Sequence, residues 1–144
     1  MMYVLDACVV IKWFAEEENS GKALKFLQGQ ARGDFLLVEP DLLVYEIANV
    51  LKYSKAFSEE EVIAAIQSLY NLKIDFIAPI ITVVRQAVTL SYEKDITYYD
   101  ASYVALATEL EVPFVTADAR LYGKVQDISL VRLLKGFEFR SSYL

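Results

Sequence analysis

The stretch YVLDACVVIKWF, residues 3–14, shows the pattern of a strand followed by a helix that recurs along the chain. Its first three residues are a short apolar run that ends at Asp6, and apolar positions then recur at helical spacing as far as Phe14. This predicts a buried strand that passes directly into a short helix. Apolar runs closed by proline follow at residues 35–40 and 74–79, and each precedes another helical pattern.

The predicted elements alternate between strand and helix along the chain. Strands joined by helices favour right-handed crossovers and a parallel sheet covered on both faces. The expected fold class is therefore α/β, a three-layer α/β/α single domain over residues 1–144, and the C-terminal GFEFRSSYL is a short edge element or a loose tail. After the opening strand and helix, strands are predicted at 35–40, 74–79, 113–116 and 130–134, and helices at 20–33, 41–55, 58–72, 81–93 and 97–111.

The composition excludes several classes of function. The 144 residues contain no histidine and one cysteine, Cys8, which excludes Ser-His-Asp catalysis, an internal disulfide and an ordinary zinc site. No apolar run approaches the roughly 20 residues that span a bilayer, so a cytoplasmic protein is expected. The net charge of −6 argues against broad nonspecific binding to nucleic acid. Any chemistry must therefore use carboxylates.

Two aspartates directly follow predicted strands. In parallel α/β sheets, ligands bind outside the carboxyl ends of the strands, which is where Asp6 and Asp118 are expected. The alternative is an ordinary turn aspartate at a strand-to-helix connection.

Two further carboxylates lie on predicted helices. Glu46 is at the edge of the apolar arc of the 41–55 helix, and Asn49, one turn later, could orient it by a hydrogen bond; a solvated edge glutamate is the alternative. Asp100 follows Thr97 in a Thr-x-x-Asp capping pattern, so it could cap its helix, present an oxygen to a ligand, or do both.

Together these four carboxylates predict a metal site. Carboxylates gathered at one place repel one another and raise one another's pKa unless a cation lies between them. An oxygen-only set without histidine or thiolate suits Mg²⁺ or Mn²⁺. With the four neutralised, the net charge of −6 becomes −2, and several cations could then contact RNA phosphates or simply face solvent: Lys12, Lys52, Lys55, Arg85 and Arg120.

Four stretches resemble the motifs of PIN-domain ribonucleases, especially the toxin halves of VapBC-type toxin–antitoxin pairs. These are YVLDACVVIKWF, YEIANVLKY, YYDASYVALA and FVTADARLY, in the family's order. The resemblance implies a PIN-like fold and a divalent-metal-dependent endoribonuclease that uses Mg²⁺ or Mn²⁺. It also implies that Asp6, Glu46, Asp100 and Asp118 are the catalytic, metal-binding quartet, with Thr116 and Asn49 in supporting roles.

The same resemblance implies partners and shows one departure. The expected partners are an RNA substrate, a cognate antitoxin and a second copy in a homodimer, for which surface aromatic side chains are candidates: Trp13, Tyr92, Tyr98 and Tyr99. The second residue after the first aspartate is usually a hydroxyl residue in the family, whereas here it is Cys8, whose thiol is a weaker hydrogen-bond partner.

Two other classes of function fit less well. A noncatalytic PIN-fold module that binds RNA or protein would be indicated by loss of a quartet residue, and none is lost. A carboxylate phosphotransfer protein needs other acidic spacings; a haloacid-dehalogenase-like phosphatase would have an aspartate where Cys8 stands. The five glycines form no phosphate-binding loop.

Overall fold

The computed structural model describes residues 1–139. Its strands are β1 Met2–Leu5, β2 Leu36–Pro40, β3 Asp75–Ile77, β4 Phe114–Thr116 and β5 Val131–Leu133. Its α-helices are α1 Ala7–Val10, α2 Ser20–Arg32, α3 Leu42–Tyr53, α4 Glu59–Asn71, α5 Ile81–Lys94, α6 Tyr98–Leu110 and α7 Ala119–Val125. Short 3₁₀ turns lie at Ile11–Trp13 and Leu134–Gly136.

All five strands of the described chain form one parallel sheet in the order β3-β2-β1-β4-β5, flanked by the seven helices. The predicted three-layer α/β fold is confirmed. Apart from Glu39 and Thr116, the interior strands are apolar on both faces because helices cover both. The chain runs outward from β1 through β2 to β3, and then crosses back to place β4 on the other side of β1. Such a reversal of strand order opens a crevice at the carboxyl end of the central strand.

Several helix ends follow directly from the sequence. Ser58 and Glu61 form the capping box that their spacing predicts at the start of α4. Gly33, at φ 78°, ends α2 in the left-handed conformation that glycine adopts without strain. Among residues 1–139, no helix is long and apolar enough to cross a membrane.

The helix α7 is absent from the sequence prediction. Its seven residues are too few to show a clear helical period, and Gly123 interrupts them. Asp118 therefore lies at the start of a helix as well as after a strand. In the C-terminal segment, Phe137 packs against Tyr3 and Phe26, and the last residues of the predicted edge element or tail, 140–144, lie outside the described residues.

Candidate active site

Asp6 is the most buried of the four predicted carboxylates. It directly follows β1 and is 6% exposed. Its backbone N–H donates to Val115 O at 2.9 Å, which ties it to β4, and its Oδ2 accepts from Thr116 Oγ1 at 2.8 Å. Burial raises the pKa of Asp6 to about 6, the bond from Thr116 opposes that rise, and the negative charge of Asp100 adds to it.

Thr116 connects Asp6 to two further groups. Its Oγ1 accepts from Asp118 N at 3.0 Å and lies 3.5 Å from Cys8 Sγ, which itself accepts from Ala117 N at 3.3 Å. A hydroxyl has one proton, and an ionised Asp6 can only accept. The Thr116 proton therefore goes to Asp6, and the Cys8 S–H is left as a donor to Thr116 Oγ1 or to the Asp6 carboxylate.

Cys8 is consequently a neutral thiol in this network. Burial, followed by the charge of Asp6, raises the pKa of Cys8 to about 12, which keeps the proton on sulfur. The thiol thus replaces a hydroxyl as a donor, with longer contacts. The supporting role predicted for Thr116 has a clear geometric basis, because its hydroxyl joins β4, Cys8 and Asp6.

Glu46 lies on α3, half-buried, and is oriented by a residue that sequence reasoning missed. Tyr103 Oη, from the buried face of α6, donates to Glu46 Oε1 at 2.6 Å. Burial raises the pKa of Glu46, the Tyr103 bond opposes the rise, and Asp100 adds to it. Asn49 is exposed and makes no side-chain hydrogen bond among residues 1–139, so the predicted bond from Asn49 to Glu46 is not found.

Asp100 and Asp118 lie at helix starts. Thr97 Oγ1 caps α6 by accepting from Asp100 N at 3.0 Å. Thr97 is therefore the N-cap residue, and the Asp100 carboxylate does not accept a hydrogen bond from the Thr97 amide. Burial raises the pKa of Asp100, the Thr97 side chain opposes the rise, and Asp118 adds to it. Asp118 is exposed, and its Oδ1 caps α7 by accepting from Arg120 N at 2.9 Å and Leu121 N at 3.1 Å.

Each of the four carboxylates is linked electrostatically to at least one of the others. Asp100 raises the pKa of both Asp6 and Glu46, although burial is the larger cause in each, and Asp118 acts in the same way on Asp100. In the described part of the chain, however, no three acidic or cysteine side chains already converge as metal ligands. The donor chemistry, oxygen only, fits a hard divalent cation. For all four carboxylates to coordinate one cation, their side chains would have to move closer together.

Glu39, at the carboxyl end of β2, is a fifth carboxyl group that sequence reasoning missed. It is 0% exposed, and its Oε1 accepts from Leu5 N at 2.7 Å. Burial raises the pKa of Glu39 well above its ordinary value, which the Leu5 bond opposes and the charge of Asp6 reinforces. The available signal was a glutamate inside FLLVEP, an otherwise apolar run predicted to be fully buried.

An apolar groove lies next to the first turns of α3 and α6. It is formed by α3, the β3–α5 connection, α5 and the start of α6, with a cavity of about 190 Å³. Tyr45, Tyr98 and Tyr99 contribute exposed rings to its rim. Tyr92, on α5, is also exposed, whereas Trp13 is half-buried and donates from Nε1 to Ala23 O at 2.8 Å.

Comparison with known proteins gives consistent relatives. A sequence model of the PIN domain matches residues 3–125. Ribonuclease VapC1 of Mycobacterium tuberculosis is 35% identical over 135 residues, covering 90% of this chain and 97% of that protein. Ribonuclease VapC3 of Pyrobaculum aerophilum is 30% identical over 131 residues, covering 86% of this chain and 95% of that protein.

Solved structures with the same fold include toxin–antitoxin proteins. VapBC-1 from nontypeable Haemophilus influenzae matches with a TM-score of 0.67 at 16% identity, covering 94% of this chain and 99% of that chain. VapC20 of Mycobacterium tuberculosis, a sarcin-ricin loop cleaving toxin, matches with a TM-score of 0.65 at 12% identity, covering 84% of this chain and 93% of that chain. At these identities the likeness shows a common fold.

Proposed function

Because the chain belongs to the PIN-domain family, we propose that it is a ribonuclease of the VapC type, the toxin half of a toxin–antitoxin pair. The observation that carries this proposal is the match to ribonuclease relatives over 90% and 86% of the chain. The pairwise electrostatic links among the four carboxylates support it. The activity is hydrolysis of RNA phosphodiester bonds.

Metal dependence is a further part of the proposal. Asp6, Glu46, Asp100 and Asp118 would hold Mg²⁺ or Mn²⁺, which suits their all-oxygen chemistry. Such an ion, when bound, supplies positive charge at the scissile phosphate and makes water more acidic. This accounts for a hydrolase that has no histidine to act as a general base.

The residues of the chain would divide the remaining work. Thr116 holds Asp6 by its Oδ2, and Tyr103 holds Glu46 by its Oε1, so one oxygen of each carboxylate is fixed and the other is left for a ligand. Asp100 and Asp118 are the more open pair, and they would orient the attacking water. Burial of Asp6 excludes bulk solvent from the floor of the site.

RNA contacts would come from exposed cations. Lys12 is less available than its sequence suggested, because its Nζ pairs with Glu17 Oε1 at 3.3 Å. Arg120, Lys52 and Lys55 are exposed. Of these, Arg120 follows Asp118 in the first turn of α7 and is best placed to contact a phosphate at the site.

An antitoxin and a second copy of the chain complete the proposed assembly. Support for the antitoxin comes from similar structures that are toxin–antitoxin complexes. Support for the homodimer comes from the exposed tyrosines, since large exposed aromatic rings often mark protein interfaces: Tyr45, Tyr92, Tyr98 and Tyr99.

The competing candidate is a noncatalytic PIN-fold module that binds RNA or protein. It is favoured by one observation, namely that no three acidic side chains among the described residues already converge as metal ligands. The two candidates differ in whether RNA is cut.

The test is cleavage of a cellular RNA pool by the purified, antitoxin-free protein, with Mg²⁺, with Mn²⁺ and with EDTA. We expect discrete fragments that depend on the metal and that disappear in Asp100→Asn. Asp75→Asn is the matched control, because Asp75 is exposed on the edge strand β3, which is separated from β1 by β2. Equal cleavage by wild type and Asp100→Asn would contradict the quartet, and RNA binding without cleavage would favour the noncatalytic module.

A further inference from the structure

Glu39 has no ordinary structural explanation. It lies within the sheet, its side chain is fully buried, and its Oε2 has no hydrogen-bond partner among residues 1–139. No described ion pair includes it. A buried carboxyl oxygen without a partner costs free energy of folding that an apolar side chain of similar size would not. The core alone therefore does not account for a glutamate at this position.

The bonded oxygen of Glu39 occupies a specific place in the sheet. The β1–β2 ladder pairs Met2 with Leu36 and Tyr3 with Leu37, and then the register ends. Two residues later, the Leu5 N–H donates to Glu39 Oε1. The side chain thus continues the connection between the two strands where their backbone pairing stops.

This bond is made one residue before Asp6. On its β4 side, the end of β1 is held by the bond from Asp6 N to Val115 O. On its β2 side, it is held by Glu39. The Glu39 carboxyl is also near enough to Asp6 for the charge of Asp6 to raise the pKa of Glu39, and Glu39 in turn acts electrostatically on Tyr103, the residue that orients Glu46.

We propose that Glu39 is a positioning residue: by binding the Leu5 N–H, it fixes the end of β1 and so the direction in which the Asp6 carboxylate enters the acidic site. The importance of that direction for metal binding and RNA cleavage rests on the proposed function. Glu39 itself is too deep to touch substrate, so it acts only through the backbone of residues 5 and 6.

Two variants distinguish the effect of the hydrogen bond between Leu5 and Glu39 from the effect of burying the Glu39 side chain. Glu39→Gln keeps an oxygen acceptor for the Leu5 N–H, whereas Glu39→Met keeps the length of the side chain and removes the acceptor. Gln30→Met is the matched control: Gln30 is also buried and its Oε1 accepts from a strand amide, Leu37 N, at 2.7 Å, but it lies at the other end of the sheet.

Three signals would be measured in each folded variant: hydrogen exchange of the Leu5 amide by NMR, the ¹³C shift of the Asp6 carboxyl carbon, and Mn²⁺ affinity by electron paramagnetic resonance. We expect Glu39→Met to lose protection at Leu5, move the Asp6 signal and weaken Mn²⁺ binding by about 10- to 100-fold, the range for residues that orient a ligand. Glu39→Gln and Gln30→Met should keep all three near wild type.

Two outcomes would contradict the positioning role of Glu39. An unchanged Asp6 signal in Glu39→Met would show that Leu5 does not transmit the position of Glu39. If Glu39→Met does not fold, Glu39→Gln decides, since loss of Mn²⁺ affinity with the Leu5 bond intact would show that the carboxyl acts directly. A wild-type protein that neither binds Mn²⁺ nor cuts RNA would refute the proposed function, while the Leu5 and Asp6 signals would still test the positioning.

Discussion

The candidate site has two halves that are built differently. Asp6 follows a central strand, is almost fully buried, and is held by Thr116, the network around Cys8 and a backbone bond to β4. Asp100 and Asp118 begin helices on the open side. Asp100 is held near its turn by Thr97, and the exposed carboxylate of Asp118 accepts from two amides of its own first turn, while the Asp118 N–H donates to Thr116.

The two halves therefore differ in how firmly their carboxylates are held. Strand-end carboxylates take their position from long-range contacts with neighbouring strands, so they are fixed when the sheet forms. Helix-start carboxylates take theirs mainly from hydrogen bonds within a single turn. No three acidic side chains converge as metal ligands among residues 1–139, so a metal held by all four would require side-chain movement, which we expect in the less buried half.

The largest effect should come from Asp6→Asn, which removes the charge from the rigid half. We expect cleavage to fall by on the order of 10³-fold, because a main anchor for positive charge at the phosphate is lost. A gel assay of RNA fragments measures this, with Asp75→Asn as the control. Retention of more than about a tenth of wild-type cleavage would show that the buried half is not central.

The same variant should be more stable than the wild type at pH 8 without metal. Because Asp6 has a folded-state pKa near 6 against an ordinary 3.8, its native state binds more protons, and stability falls as pH rises through that window. The difference corresponds to a gain of up to about 3 kcal/mol at pH 8 and to none below pH 3.8. Urea unfolding at pH 8 and pH 3.5 measures it, and a gain that is equal at both would contradict the assignment.

Thr116→Val should have the next largest effect. Valine keeps the shape and burial of threonine but cannot donate to Asp6 or accept from the Asp118 amide. We expect Mn²⁺ affinity to fall by about 10- to 100-fold, as for other residues that orient a metal ligand. Titration calorimetry would measure this, and Thr116→Ser should restore most of the affinity. A valine variant with wild-type affinity would show that burial alone holds Asp6.

Metal affinity should depend on pH more steeply than an exposed carboxylate site would. Metal ligands must be deprotonated, and the pKa of Asp6 is raised to about 6 chiefly by burial. We therefore expect Mn²⁺ affinity to rise by about tenfold from pH 5 to pH 7, which is the change in the ionised fraction of one such group. In Asp6→Asn, calorimetry should show a weaker dependence, with the remainder due to Glu46 and Asp100, whose pKa values burial also raises. If the variant keeps the full tenfold change, Asp6 does not control the titration.

Cys8 should give the smallest effect, and it tests the direction of the hydrogen bonds around Thr116. Cys8→Ala removes one donor to Thr116 or Asp6 and should weaken Mn²⁺ affinity by only a few-fold, on the order of 1 kcal/mol for a single hydrogen bond. Cys8→Ser keeps a donor and should match or exceed the wild type. If Cys8→Ser had the same Mn²⁺ affinity as Cys8→Ala, the Cys8 side chain would contribute by packing rather than as a hydrogen-bond donor.

The fold and the positions of Asp6 and Asp118 after strands could be predicted from the sequence because those signals are local. Asp6 stands where an apolar run stops, and the Thr97 cap is readable from a spacing of three residues. The contacts that complete the site are not local. Tyr103 meets Glu46 across 57 positions and had the appearance of a core residue in its helix, while the nearby Asn49 proved to be exposed.

Glu39 and α7 were missed for different physical reasons. Glu39 was missed because its hydrogen-bond partner is the Leu5 amide of another strand. That amide lies beyond the residues that β1 and β2 pair, and the periodicity of the sequence does not show where this pairing ends. Helix α7 was missed because a helix of seven residues gains most of its stability from packing and from the Asp118 cap rather than from propensity.

The most direct test is a crystal structure of the metal-free protein and of the same crystals soaked in Mn²⁺, with the ion located by its anomalous scattering. We predict a peak among Asp6, Glu46, Asp100 and Asp118, with Asp6 in the same position in both structures and with Asp100 and Asp118 turned inward in the soaked one. A peak elsewhere, or Mn²⁺ bound in solution by a protein with all four carboxylates replaced, would contradict the account.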